Sequence, residues 1–181
     1  MLSSFVSRWL QSKSRKSANR RPHFTRLWLE VLEDRTLLAT FTVNTLADNP
    51  SAGSLRWAIT QANNVPGDDI INFSVTGMIN LTGALPNLDS NIDIQGPGAG
   101  SLTVQRYTGG DYGIFAVLSG RTVTLSGLTI ANGRPPGTNG GGIHNLGTLT
   151  VSNCTLSGNF ANFGGGIYYR RRQADSDQAR H

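Results

Sequence analysis

The 181-residue sequence has one cysteine, Cys154. No intramolecular disulfide and no cysteine-based metal site can form, so neither a disulfide framework nor a zinc knuckle holds the fold. Charge is scarce: Asp, Glu, Lys and Arg make up 15 % of the chain, against about 25 % in an average globular protein. That excludes a long solvated helix or coiled coil. No run approaches the ~18 apolar residues of a spanning helix, which excludes a helical transmembrane protein. Apolar residues nevertheless reach 38 %, too many for disorder throughout. Glycine is abundant: it fills 22 positions, well above its usual share of about 7 %.

The net charge of +5 sits in the tails. Residues 1–36 carry +5, residues 37–169 carry −2 and residues 170–181 carry +2. A nucleic-acid footprint needs a basic patch on the folded surface, and the body is mildly acidic, so no nucleic-acid partner is expected. Residues 1–39 read as a basic segment, with a helix-like stretch in FTRLWLEVLEDRTLLA. A targeting element and a basic tail plus surface helix both fit. Glu30, Glu33, Asp34 and Arg35 interrupt the apolar core that a simple secretory signal needs.

From residue 40 short runs with apolar residues two apart appear: Phe41–Asn44, Ile70–Phe73, Ile92–Ile94, Leu102–Val104, Val123–Leu125, Leu128–Ile130, Leu149–Val151 and Cys154–Leu156. Each reads as a strand with one buried face. VTLSGLTIANG at 123–133 recurs as LTVSNCTLSGN at 149–159, and GGGI at 140–143 recurs at 164–167. A unit of two short strands and a Gly-rich corner cannot bury its own apolar face, but it can when stacked on a copy of itself. A parallel β-helix of about four coils over residues 40–169 follows. Gly127 and Asn153 would sit at equivalent corners needing a left-handed or bridge conformation, and Cys154 would stack inward on Leu128 as a small buried hydrophobe. A sandwich or meander is the other all-β reading, but it requires hairpin turns that this chain has few signals for.

One helix is expected in the body, GSLRWAITQAN at 53–63. Ser54 would cap it, and Leu55, Ala58, Ile59 and Ala62 share a face. It suits a cap over the first coil. Trp57 either packs at the mouth or faces out.

No residue constellation specifies a reaction, and no catalytic, cofactor-binding or metal site is assigned. A lyase or hydrolase would need clustered outward carboxylates with a basic partner. Asp93 faces outward, but the aligned positions are Thr124 and Thr150, and Asp68-Asp69 reads as a turn. Arg106 and Arg121 could approach Asp93 or Asp111 in a loop. His144 lacks a second metal-ligating neighbour at helical or hairpin spacing. The outward Thr103, Thr124, Thr129, Thr150 and Thr155 form a polar ladder, either a solvated face or a surface for glycans, ice, mineral or protein.

Three motifs add a resemblance. Leu29–Leu38, LEVLEDRTLL, is similar to a segment near the N-terminus of large exported proteins of planctomycete bacteria. Ser54–Ile59 with Ala62-Asn63 and Asp69–Phe73 resembles the opening of bacterial secreted β-helix proteins, with Gly53 where many of those have Cys. Gly141–Asn145, Ser157–Asn159 and Gly165–Tyr168 resemble the repeat of chlamydial polymorphic outer-membrane proteins, whose F-x-x-N motif Phe160 and Asn162 only approximate. The resemblance implies a right-handed, pectin-lyase-like parallel β-helix, export to the outer membrane, cell surface or medium, and a non-catalytic role in adhesion or envelope structure. Its partners would be glycans or other surface proteins. The alternative is a carbohydrate-active β-helix. Residues 170–181, RRRQADSDQARH, break the repeat. They are expected to be an unstructured basic tail, the chain to be the front of a longer protein, and the last coil to be open to association.

Overall fold

The computed structural model describes residues 38–137 and 139–170. The basic N-terminal segment with its helix, and the tail, lie outside the described residues except for Leu38, Ala39 and Arg170. Along the chain the elements are β1 (Thr40–Val43), α1 (Leu55–Asn64), β2 (Asp68–Phe73), β3 (Gly77–Leu81), β4 (Asn91–Gln95), β5 (Leu102–Arg106), β6 (Phe115–Val117), β7 (Thr122–Ser126), β8 (Thr129–Ala131), β9 (Ile143–Asn145), β10 (Thr148–Ser152), β11 (Thr155–Ser157) and β12 (Ile167–Tyr169). They form three parallel sheets. Sheet A runs β1-β2-β4-β7-β10, sheet B runs β3-β5-β8-β11, and sheet C runs β6-β9-β12. The chain visits A, B and C in turn and climbs one strand spacing, ~4.8 Å, on each circuit. This is a right-handed parallel β-helix of the pectin-lyase-like class.

Register fixes the coil lengths. Thr40, Ile70, Asp93, Thr124 and Thr150 stand one above another, so successive coils hold 30, 23, 31 and 26 residues. The helix makes about five turns, not four. The turn missing from the sequence count is the first, in which α1 takes the place of strands in sheets B and C. A second correction concerns the repeat unit, which has three strands rather than two and a corner. Its third strand is only three residues long, follows glycines, and places polar Asn145 inward, so the apolar alternation is lost there. The twin GGGI motifs lead into this strand. Their glycines stack so closely that a Cβ on Gly142 would stand 2.6 Å from the Gly166 carbonyl oxygen.

Inward side chains stack in columns. Phe41, Ile71, Ile94, Leu125 and Val151 make one; Ile79, Val104, Ile130 and Leu156 another; Phe115, Ile143 and Ile167 a third. Burial of each large aliphatic side chain contributes about 1.5–3 kcal/mol. The columns are closed in the middle and open at one end: Leu125 and Ile130 are 0 % exposed, whereas Ile167 is 37 % exposed. Cys154 stacks over Leu128 as expected, but it is half-buried because no described residue covers it.

The other end is capped. The Ser54 side chain accepts the Trp57 N–H, closing the first turn of α1, and Leu55, Ala58, Ile59 and Ala62 turn into the core. Trp57 packs edge-on to Phe41, ring centroids 5.9 Å apart. The corner residues behave as read: Gly127 has φ +63° and Asn153 φ +51°, left-handed values that Gly and Asn tolerate.

Candidate functional site

Three surfaces among the described residues bear on ligand binding, together with a cluster that looks chemical but is structural.

The structural cluster is built on Asp48. Arg56, the second residue of α1, sends Nε to Asp48 Oδ1 at 2.8 Å and Nη2 to Oδ2 at 2.9 Å. Its remaining donors reach the carbonyls of Ala84, at 2.6 Å, and Gly83, at 2.9 Å. Thr82 adds its N–H at 2.7 Å and its hydroxyl at 2.9 Å to Asp48 Oδ2. Burial of Asp48 favours its neutral form, but the bonds from Arg56 and Thr82 outweigh it and hold the carboxyl below its usual range. A carboxylate with this many donors is a tie between loop, helix and coil. Asn63 acts likewise at the far end of α1: it donates to the Asn87 carbonyl at 2.7 Å and accepts the Asp89 N–H at 2.9 Å. Ser54, Leu55, Arg56, Ala58, Ile59, Ala62 and Asn63, the most distinctive motif of the sequence, are thus all used to seat the cap.

The first surface is the outward face of sheet A. Columns of Thr40, Ile70, Asp93, Thr124 and Thr150, and of Thr42, Asn72, Gln95, Ser126 and Ser152, run along it. A groove of about 390 Å³ is lined by Asp68, Asp69, Asp93, Asn91, Thr122 and Thr124, among others. Asp68 accepts from Asn91 Nδ2 at 2.8 Å, and Asp93 from Gln95 Nε2 at 2.6 Å. Asp68-Asp69 is not a turn; it opens β2. Asp69 points inward, one coil before Ile92, and accepts the Ala39 N–H at 3.0 Å. The three carboxylates therefore divide between two faces of the sheet. Among the described residues no group of three or more His, Cys, Asp or Glu is placed to hold a metal ion.

The second surface is a hollow of about 460 Å³ lined by Arg106, Asn132, Arg134, Gly158 and Phe160. Arg106 ends β5, and Asn132 and Gly158 directly follow β8 and β11, so the coil stacks them at one corner. Arg106 donates to the Asn132 carbonyl at 2.8 Å and lies 3.6 Å from Asp111. The Arg134 guanidinium carbon stands 5.7 Å from the centre of the Phe160 ring, whose side is open to solvent. Two guanidiniums, an amide and an aromatic face can recognise sugar rings and their acidic substituents. The sequence left open whether Arg106 and Arg121 approach Asp93 or Asp111; Arg106 meets Asp111, and Arg134 and Phe160 were not singled out as part of a site. The signal was present, since 106, 132 and 158 share the 26-residue offset of the repeat.

The third surface is minor. His144 faces outward from sheet C and stacks against Tyr168 one coil on, centroids 5.4 Å apart. Arg121 pairs with Asp89 at 3.0 Å on an exposed rim, not with Asp93 or Asp111.

The chain matches no protein-family model, no curated protein and no solved structure. Among the described residues no helix is long and apolar enough to cross a membrane.

Proposed function

We propose that the chain is a non-catalytic β-helix scaffold of the secreted or cell-surface kind, with an adhesion or envelope-structural role, which offers its sheet A ladder and the Arg106–Phe160 corner to glycans or to other surface proteins. The observation that carries this reading is how four of the body's six acidic residues are used. Asp48 is tied to Arg56 and Thr82, Asp69 to the Ala39 amide, Asp89 to Arg121 and Asp111 to Arg106. Each arginine–carboxylate pair stands at a different place on the coil, so acid and base are dispersed rather than focused on one bond of a substrate. Export rests on the LEDRTLL segment and is part of the proposal.

A second reading, a carbohydrate-active β-helix, is favoured by the Arg106–Asp111 pair, whose arginine lines the hollow that also holds Arg134 and Phe160. Titration of the full chain with neutral and acidic oligosaccharides, alongside assays for chain cleavage, separates the two. Binding without cleavage, weakened by Phe160→Ala, is expected. Cleavage abolished by Asp111→Asn would replace the first reading with the second. Cell fractionation of the full-length protein tests export, and retention inside the cell would remove the surface role.

A further inference from the structure

The hollow after sheet B runs along the flank of the β-helix, because Arg106, Asn132 and Gly158 stand in one column across three successive coils. Its backbone is fixed before any ligand arrives. Asn132 at φ +60° and Gly158 at φ +62° turn the chain alike in neighbouring coils. Asn159 stitches the two turns together, accepting the Gly133 N–H at 2.9 Å and donating to the Ile130 carbonyl at 2.8 Å. The Phe160 N–H reaches the Gly133 carbonyl at 2.8 Å, and the Arg134 N–H reaches the Tyr112 carbonyl at 2.7 Å. Both side chains that border the hollow from these turns therefore spring from bonded backbone, which lowers the cost of ordering them on binding.

The four arginines between residues 38 and 169 are used differently. Arg56 and Arg121 are paired with Asp48 and Asp89. Arg106 gives Nε to the Asn132 carbonyl at 2.8 Å and Nη1 to the Gly110 carbonyl at 3.3 Å, and it stands 3.6 Å from Asp111. Arg134 is exposed and has no carboxylate partner among the described residues. Its guanidinium carbon lies 5.7 Å from the centre of the Phe160 ring, and that residue is 62 % exposed. An aromatic face holds a cation in place without neutralising it. Asn132 commits its amide nitrogen to Gln105 Oε1 at 3.1 Å. Its amide oxygen faces the space left at Gly158, where a Cβ would stand 2.6 Å away.

We propose that this hollow is a subsite for an acidic sugar. The sugar ring lies on the Phe160 face, its carboxylate or sulfate ester takes the fork of Arg134, and a ring hydroxyl donates to the Asn132 amide oxygen. The proposal rests on the glycan-binding reading above and names its ligand class. Two features select that class. A neutral sugar leaves the Arg134 charge unanswered, whereas a planar guanidinium bonds an anionic group through two parallel N–H donors. An acidic peptide answers the charge but lacks the flat C–H face that packs on the electron-rich face of an aromatic ring.

Isothermal titration calorimetry of the full chain with defined probes tests this. The probes are a uronic-acid hexasaccharide, its methyl ester, a neutral hexasaccharide bearing one sulfate ester per ring, and hexaglutamate. At least one acidic saccharide should bind about tenfold or more tightly than the methyl ester, and which one does so identifies the anionic group. Arg134→Gln should remove that preference, and Arg134→Lys, which keeps the charge but not the fork, should restore part of it. Phe160→Ala should weaken the acidic saccharide and the ester alike, by about 2–10-fold. Equal affinity for acid and ester, lost in Phe160→Ala, would overturn the acidic subsite and leave the glycan reading standing. No binding by any saccharide would overturn both. A preference for acid that survives Arg134→Gln, or hexaglutamate binding more tightly than the saccharides, would also overturn the proposal.

Discussion

The Asp48–Arg56 tie is the place where structure most directly sets a measurable stability. Asp48→Ala removes a carboxylate that receives four hydrogen bonds, two from Arg56 and two from Thr82. The Asp48 side chain is 1 % exposed and Arg56 is 21 % exposed. A pair fully in water would contribute no more than about 1 kcal/mol, and breaking a fully buried one costs about 3–5 kcal/mol. Arg56 keeps some water and two carbonyl partners, which places the expected loss between these limits, at about 2–3 kcal/mol. For a folded unit of this size that lowers Tm by about 6–12 °C. The comparison is Asp89→Ala, which removes the exposed pair with Arg121 and should cost less than about 0.5 kcal/mol. The pH dependence adds an independent signature. The folded-state pKa of Asp48 is depressed, so its contribution is present above the unfolded value of about 3.9 and is lost as pH falls through the lower folded value. Asp48→Asn should therefore flatten the acid limb of the stability profile. Urea unfolding followed by circular dichroism from neutral pH downward measures both. Equal losses for the Asp48 and Asp89 variants, or an unchanged acid limb in Asp48→Asn, would refute the assignment of the tie.

Other variants test the coil itself. Leu125→Ala, in the closed part of its column, should cost about 3 kcal/mol, whereas Val151→Ala, one coil on and half-buried, should cost about 1 kcal/mol under conditions where the chain is monomeric; chemical denaturation reads the ratio. Asn153→Val forces a β-branched residue to φ +51° and should lose about 1–2 kcal/mol, while Asn153→Gly should be within a few tenths of wild type. Asn63→Ala releases the end of α1 from residues 87–89 and should raise amide hydrogen exchange in α1 before global unfolding, at a cost of about 1–2 kcal/mol.

The fold was legible wherever one residue in two is apolar. Ile92-Asp93-Ile94, Val123-Thr124-Leu125 and Leu149-Thr150-Val151 each announce a strand, and the recurrence at 26 residues stacks two of them without a structure. The α1 cap was legible for the same kind of reason, because Ser54 and the face of Leu55, Ala58, Ile59 and Ala62 are local features. Sheet C was not legible. Three-residue strands such as Ile143-His144-Asn145 are held by their neighbours above and below, not by their own alternation, and Asn145 fills an inward position by bonding to Gly147 through both its amide atoms, at 3.0 and 3.2 Å. Asp69 misled for a related reason. A carboxylate on an inward position reads as a turn until the Ala39 amide of the preceding coil is known.

The same logic locates any specificity the protein has. In a parallel β-helix each outward residue has its equivalents about 4.8 Å above and below, so the chemistry of a column must be compatible with itself. Stacked carboxylates repel; stacked threonines, asparagines and glutamines do not. The flat faces therefore drift toward what sheet A shows, with Asp93 as a single acid between Ile70 and Thr124. Corners escape this rule, because coils differ in length there. The third coil is 31 residues, five longer than the fourth, and residues 107–111 stand exposed where β5 ends, before Tyr112 and Ile114 return to the core. At that corner Arg106 and Asp111 come from the long coil, Asn132 and Arg134 from the next, and Phe160 from the last. A ligand there would read side chains of three coils at once, of four residue types. Replacing Arg106, Arg134 and Phe160 together by Ala should leave the sheet A ladder intact and abolish recognition at the corner, which separates a protein that binds by its flat face from one that binds where the repeat is broken.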